Sequence, residues 1–276
     1  MRAKVILVPY DSGHYRKRMG LGPERIFHSG LEGLLLRTGV EFDSEVILLE
    51  NTYPMEISAG FELCRKVAVS VREGCESGNL PIVLSGNCMA AVGTVSGCSR
   101  EKTGVVWFDA HGESTTPETT KSGFLDGMPI STLLGCAWQN LTKSIPGFAP
   151  VPGDRMVLFG ARDLEPAERE LLDGRGVLKL SCVDQLARHL GQASAQVARV
   201  YVHVDLDVLD PSVATANQWT PPGGITLQCL LEAIAAIRRQ TRIAALGIAS
   251  YDPAVDRGGC ALEAALGVAE SVLNSS

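Results

Sequence analysis

Eight short runs dominated by Val, Ile and Leu punctuate the chain, and their spacing constrains the fold more than any other feature. They are KVILVP (4–9), EVILLE (45–50), LPIVLSG (80–86), TGVVWFD (103–109), RMVLFG (155–160), VLKL (177–180), VYVHVDLD (200–207) and IAALGIAS (243–250). Many carry apolar residues on consecutive positions, the pattern of strands covered on both faces. Helical periodicity lies between most of them, for example over 62–73, 167–172 and 230–239, and the closing ALEAALGVAESVLNSS reads as an amphipathic helix. Strand–helix alternation predicts an α/β chain in three α/β/α layers, around a mostly parallel sheet of roughly eight strands. The 276 residues, 45% hydrophobic, are enough for one large core. No repeat or Pro/Ser linker interrupts them, so one domain over 1–276 is expected.

Composition excludes some functions. A net charge of −6 gives no electrostatic basis for a nucleic-acid partner or an anionic membrane surface. The opening MRAKVILVPY breaks at Pro9, short of a signal-peptide core, and no run approaches the roughly 18 apolar residues of a membrane span. A cytoplasmic protein is expected. The eight cysteines form no CxxC pair, so buried thiols are expected in place of a disulfide framework.

Ligands of such sheets bind beyond the carboxyl ends of the strands. Two of those ends are acidic. WFDAHGE (107–113) runs from an apolar pair into Asp109, His111 and Glu113, and HVDLDVLDP (203–211) offers Asp205 and Asp207. Spacing by two at a strand end directs each pair to one side. Buried carboxylates are costly without a counter-charge, and no Lys or Arg lies between 201 and 236. Divalent cations would neutralise them. Carboxylates with one imidazole suit manganese, with zinc or iron as alternatives.

These segments resemble the ureohydrolases: arginase, agmatinase, formimidoylglutamase and their relatives. The family's GGDHS, DAHxD and SxDxDxxDP segments correspond to SGNCM (85–89), DAHGE (109–113) and HVDLDVLDP (203–211). Similarity continues through SGFLDGMP (122–129), ARDLEP (161–166), PGGIT (222–226) and ASYDP (249–253). The resemblance implies an arginase-like fold and two divalent ions, Mn2+ first and Zn2+ or Fe2+ as alternatives. It implies Cys88, Asp109, His111, Glu113, Asp205 and Asp207 as ligands, with Asp109 and Asp205 bridging. It also implies attack of a metal-bridging hydroxide on a guanidine-type carbon and loss of an amine. Family members are often trimers or hexamers, so a homo-oligomer is an expectation as well.

The departures from the family pattern bear on substrate. Cys88 and Asn87 stand where the family carries His and Asp, and Glu113 replaces an Asp. The Cys is shared with the Nω-hydroxy-L-arginine hydrolase branch. Ser250 falls where an acid pairs with the arginine guanidinium, which disfavours L-arginine itself. Asp252, two residues on, shares its strand face and is the candidate substitute. Asp126 takes the place of a proton-shuttling histidine, so Asp126, Asp109 and His111 form the expected catalytic group. Thr115, Ser122 and Glu165 match amino-acid recognition positions, while Phe124 replaces an Asn there. Trp219 in ANQWTPP is a candidate pocket wall. His203 reads as an outer partner of the ligands or a core histidine, and His14 with Arg16, Lys17 and Arg18 as a solvated face or anion contact. The expected substrate is a small guanidino or N-hydroxyguanidino compound. The alternatives are a formimidoylglutamase-like hydrolase and a catalytically idle binding or structural protein on the same scaffold.

Overall fold

A computed structural model describes residues 1–98, 102–193 and 197–274. Eight strands form one sheet: β1 (Arg2–Val8), β2 (Glu41–Val46), β3 (Leu80–Ser85), β4 (Thr103–Phe108), β5 (Met156–Phe159), β6 (Leu178–Leu180), β7 (Arg199–Asp205) and β8 (Arg242–Ala249). Their spatial order is β2-β1-β3-β8-β7-β4-β5-β6, and every pairing is parallel. All strand carboxyl ends therefore open on one edge, and the last strand sits near the centre.

The consecutive apolar residues of the central strands are explained by helices on both faces. One face packs against the helical stretch Gly22–Ile26, Phe27–Leu31 and Glu32–Thr38, and against helices Val183–Gln192, Leu227–Gln240 and Cys260–Leu273. The other packs against α1 (Glu56–Glu76), α2 (Ala90–Cys98) and α3 (Pro166–Gly174). Neighbouring residues of one strand split between the two cores: Val5 and Leu7 face one, Ile6 and Val8 the other. Helix ends use local chemistry. Thr226 accepts from Cys229 N, and Glu165 with Glu168 forms a reciprocal capping box ahead of Pro166.

One strand differs from expectation. β2 runs over Glu41–Val46 and not over 45–50. It is an edge strand with one neighbour, so its charged EFDSEV needs no double cover. The apolar residues after it leave the sheet to cover the α1 face, where Leu49 N donates to the Tyr10 hydroxyl at 2.9 Å. The closing helix ends at Leu273, and the final two residues of the expected helix lie outside the described ones. Among the described residues, no helix is long and apolar enough to cross a membrane.

Candidate metal centre

The middle four strands, β3, β8, β7 and β4, bring Ser250, Asp205 and Asp109 to the sheet edge, with Cys88 three residues beyond β3. The pairs two apart converge through a turn and not through strand alternation. β4 stops at Phe108, and Asp109 Oδ1 accepts from His111 N at 2.8 Å. Asp205 Oδ1 accepts from Asp207 N at 2.8 Å and opens a 3-10 turn over Leu206–Val208. Each aspartate thus folds the backbone back so that both side chains of its pair face one point. The two units also lock together, because Ala110 N donates to Asp207 Oδ1 at 3.1 Å.

Two groups of ligand atoms result. Asp109, His111 and Asp207 bring theirs within 4.8 Å of one another, and so do Cys88, Asp109 and His203. Cys88 Sγ donates to Asp205 Oδ2 at 3.0 Å and lies 3.5 Å from the Ser250 hydroxyl. Among the described residues, His111 is the one cationic side chain paired with these acids, at 3.1 Å from Asp207 and 3.5 Å from Asp109. Glu113 is held at φ +48, and its Oε2 is shut off from solvent with no hydrogen-bond partner.

The electrostatics follow from that shortage of positive charge. Burial, then repulsion from Asp207, pushes Asp109 up to about 6. The same two causes drive Asp205 well above the carboxylate range, and burial followed by Asp109 does so for Glu113. The Cys88 thiol is driven up by burial and then by Asp205. At His111 burial favours the neutral ring, but hydrogen bonds to Asp109 and Asp207 outweigh it and hold the imidazolium. Bound cations reverse this logic, since they stabilise every anionic form at once. The buried anions, the unpartnered Glu113 oxygen and the oxygen, nitrogen and sulfur donors together fit a divalent-cation site.

His111, Glu113, Asp205 and Asp207 of the centre line a cavity of about 600 Å³ together with Asp126, Ser250 and Trp219. Asp126 sits beside the ligands, with Oδ1 accepting from Met89 N at 2.7 Å and Oδ2 from Asn87 Nδ2 at 2.9 Å. Burial lifts it to about 7 against those bonds. Thr115, Ser122 and Glu165 also line the cavity. Each has a local task as well: Thr115 Oγ1 donates to Gly127 O, Ser122 Oγ accepts from Phe124 N, and Glu165 caps α3 and pairs with Lys121 at 2.9 Å. Trp219, 42% exposed, stacks with Phe124 at 6.2 Å between ring centres.

Asp252 does not share a strand face with Ser250. β8 ends at Ala249, Ser250 turns the chain at φ +62, and Asp252 Oδ1 accepts from Ala254 N at 2.9 Å. It is absent from the cavity lining, which Ser250 joins. His14 is exposed on a two-residue hairpin with Asp11, away from the cavity lining.

One basic residue read as a solvated face or anion contact reaches the cavity, and another escaped the sequence reading. Arg18 reaches buried Asp11 with Nε to Oδ2 at 2.7 Å and lines the cavity beside Ser12. Arg162 donates to the carbonyls of Gly160, Asp207, Val208, Leu209, Pro221 and Pro222, tying the loops after β5 and β7 together. Arg162 has no sequence signal beyond a basic residue in a strand-end loop, because its partners are backbone atoms.

The family model described as Arginase family matches residues 1–274. An arginase of Brevibacillus brevis is 32% identical over 241 residues, 80% of this chain and 80% of its own length. An arginase of Bacillus caldovelox is 29% identical over 243 residues, covering 80% and 81%. The crystal structure of arginase from Bacillus subtilis superposes with a TM-score of 0.88 at 25% identity, over 100% of this chain and 99% of that one.

Proposed function

The chain belongs to the arginase family, and from that premise we propose that it hydrolyses a C–N bond of a guanidino or N-hydroxyguanidino compound with two divalent cations. As a member it is a hydrolase of the class acting on C–N bonds in linear amidines. The observation that carries the reading is the buried Glu113 oxygen left unpartnered among Asp109, Asp205 and Asp207, with His111 as their one cationic partner among the described residues.

Cys88, Asp109, His111, Glu113, Asp205 and Asp207 would hold the cations, Mn2+, Zn2+ or Fe2+. When bound, they supply Lewis acidity and acidify a water into the range of a nucleophile at neutral pH. The chain's residues do the rest. Asp126, fixed at both oxygens by Asn87 and Met89, stands next to the ligands as the proton carrier. Its burial favours the protonated form, which can donate to the departing amine. Trp219 and Phe124 stack on each other in the cavity lining and would give the substrate an apolar wall. Thr115, Ser122 and Glu165 line the same cavity and would meet the far end of that substrate.

Ser250 argues against L-arginine. A charged guanidinium needs a carboxylate at its distal end, and Ser250 offers a hydroxyl that already neighbours Cys88. A less basic N-hydroxyguanidine loses less there. The test is a panel of guanidino and N-hydroxyguanidino acids given to protein loaded with manganese, zinc or iron, with urea and hydroxyurea measured. N-hydroxyguanidines are expected to turn over faster than arginine. Equal or faster arginine turnover sinks the substrate assignment, and no turnover with any metal favours an idle scaffold.

A further inference from the structure

His203 is built into the centre more tightly than a core histidine requires. Its ring stacks on Trp107 at 3.7 Å between centres and 25° between planes. Trp107 in turn donates Nε1–H to Asp109 Oδ2 at 2.8 Å. His203 Nδ1 lies 2.8 Å from the Tyr201 hydroxyl, and Nε2 lies 3.2 Å from Cys88 Sγ. All three side chains are buried. Gly247 makes the room: a Cβ there would stand 2.1 Å from the Tyr201 oxygen and 3.2 Å from Nδ1.

The two ring nitrogens have different partners: Tyr201 occupies Nδ1, and Nε2 faces the Cys88 sulfur. Asp205 Oδ2 accepts the thiol proton at 3.0 Å. The ligand atoms of Cys88, Asp109 and His203 all lie within 4.8 Å of one another. With Nδ1–H given to the Tyr201 oxygen, Nε2 would offer a lone pair on the same side as the sulfur, and one cation would satisfy both atoms. Nδ1 hydrogen-bonded while Nε2 faces the metal is the usual posture of a ligating histidine. The spacing agrees: sulfur at about 2.3 Å and nitrogen at about 2.0 Å on one tetrahedral zinc lie about 3.5 Å apart, against 3.2 Å here.

We propose that His203 is a direct metal ligand, forming with Cys88 and Asp109 a sulfur–nitrogen–oxygen set for one of the two cations. The set selects a borderline cation of the zinc class over manganese at that position. This rests on the metal-dependent reading above and adds a ligand to it.

The test uses metal-free full-length protein titrated with Co2+ and followed by absorption, with zinc-loaded, histidine-15N-labelled protein examined by NMR. The first equivalent of Co2+ is expected to give a thiolate charge-transfer band that Cys88→Ser removes. His203→Gln should keep that band, alter the visible ligand-field bands and weaken Co2+ at least tenfold. In the unmutated protein, one equivalent of Zn2+ should move the His203 Nε2 resonance while Nδ1 stays protonated, a readout that survives if His203→Gln fails to fold. Unchanged affinity and visible bands in His203→Gln, or an unmoved Nε2 resonance beside an intact charge-transfer band, overturn the ligand assignment and leave the metal reading standing. No Co2+ binding by the unmutated protein overturns both.

Discussion

Asp205 touches the thiol of Cys88 and the amide of Asp207 at once, so its loss should undo more than one ligand. Asp205→Ala is expected to abolish tight metal uptake and activity together, checked by metal analysis after dialysis; full activity in that variant would refute the site. Cys88→His should keep metal uptake and move preference toward manganese, measured by competitive zinc and manganese titration. A metal-free Cys88→His protein would instead make Cys88 a packing residue. Trp107→Phe removes the donor to Asp109 from a fully buried ring and should cost about 2 kcal/mol in denaturant unfolding. Much of this residue-level site was legible because each acid directly follows an apolar strand. Asp109, His111, Glu113, Asp205 and Asp207 could be named from WFDAHGE and HVDLDVLDP alone. The pairing of His203 with Cys88 was not, since it joins residues 115 positions apart and depends on a tyrosine that fixes the ring. Asp252 misled for the opposite reason: counting by two assumes a strand that stops one residue too soon.

At the level of elements, the loop after β7 is held by side chains that serve backbone atoms. Asp210 accepts from Ser212 N and from Gly223 and Gly224 N, closing the 210–224 segment that carries Trp219. Its carboxyl is pulled down to about 2, first by the Ser212 hydroxyl and then by those amides. A depressed folded pKa means the contribution is present above the unfolded value of roughly 3.9 and is lost as pH falls toward about 2. Asp210→Asn should therefore melt below the parent at pH 6, with the gap closing between pH 4 and pH 2 in thermal scans. Arg162→Lys keeps the charge but not the planar fork that spans six carbonyls, and about 2 kcal/mol of stability should go with it, read from denaturant midpoints. Strands buried on both faces announced themselves by consecutive apolar residues. β2 was misplaced because an edge strand is covered less, and its EFDSEV shows only a partial alternation.

Across the whole molecule, the concentration of buried anions at one sheet edge predicts that divalent cations stabilise the fold. Chelation is expected to lower the melting temperature, and zinc or manganese to restore it; metal held at a hundred times its dissociation constant adds about 2.7 kcal/mol. A melting temperature indifferent to chelator would mean that protons satisfy the centre. The sheet order carries a further consequence for synthesis. Cys88 follows β3 and Asp205 ends β7, yet the strand between those two is β8, the last to leave the ribosome. A chain that has emitted only the first 241 residues owns every candidate donor atom but lacks the keystone strand that sets Cys88 and Asp205 in register.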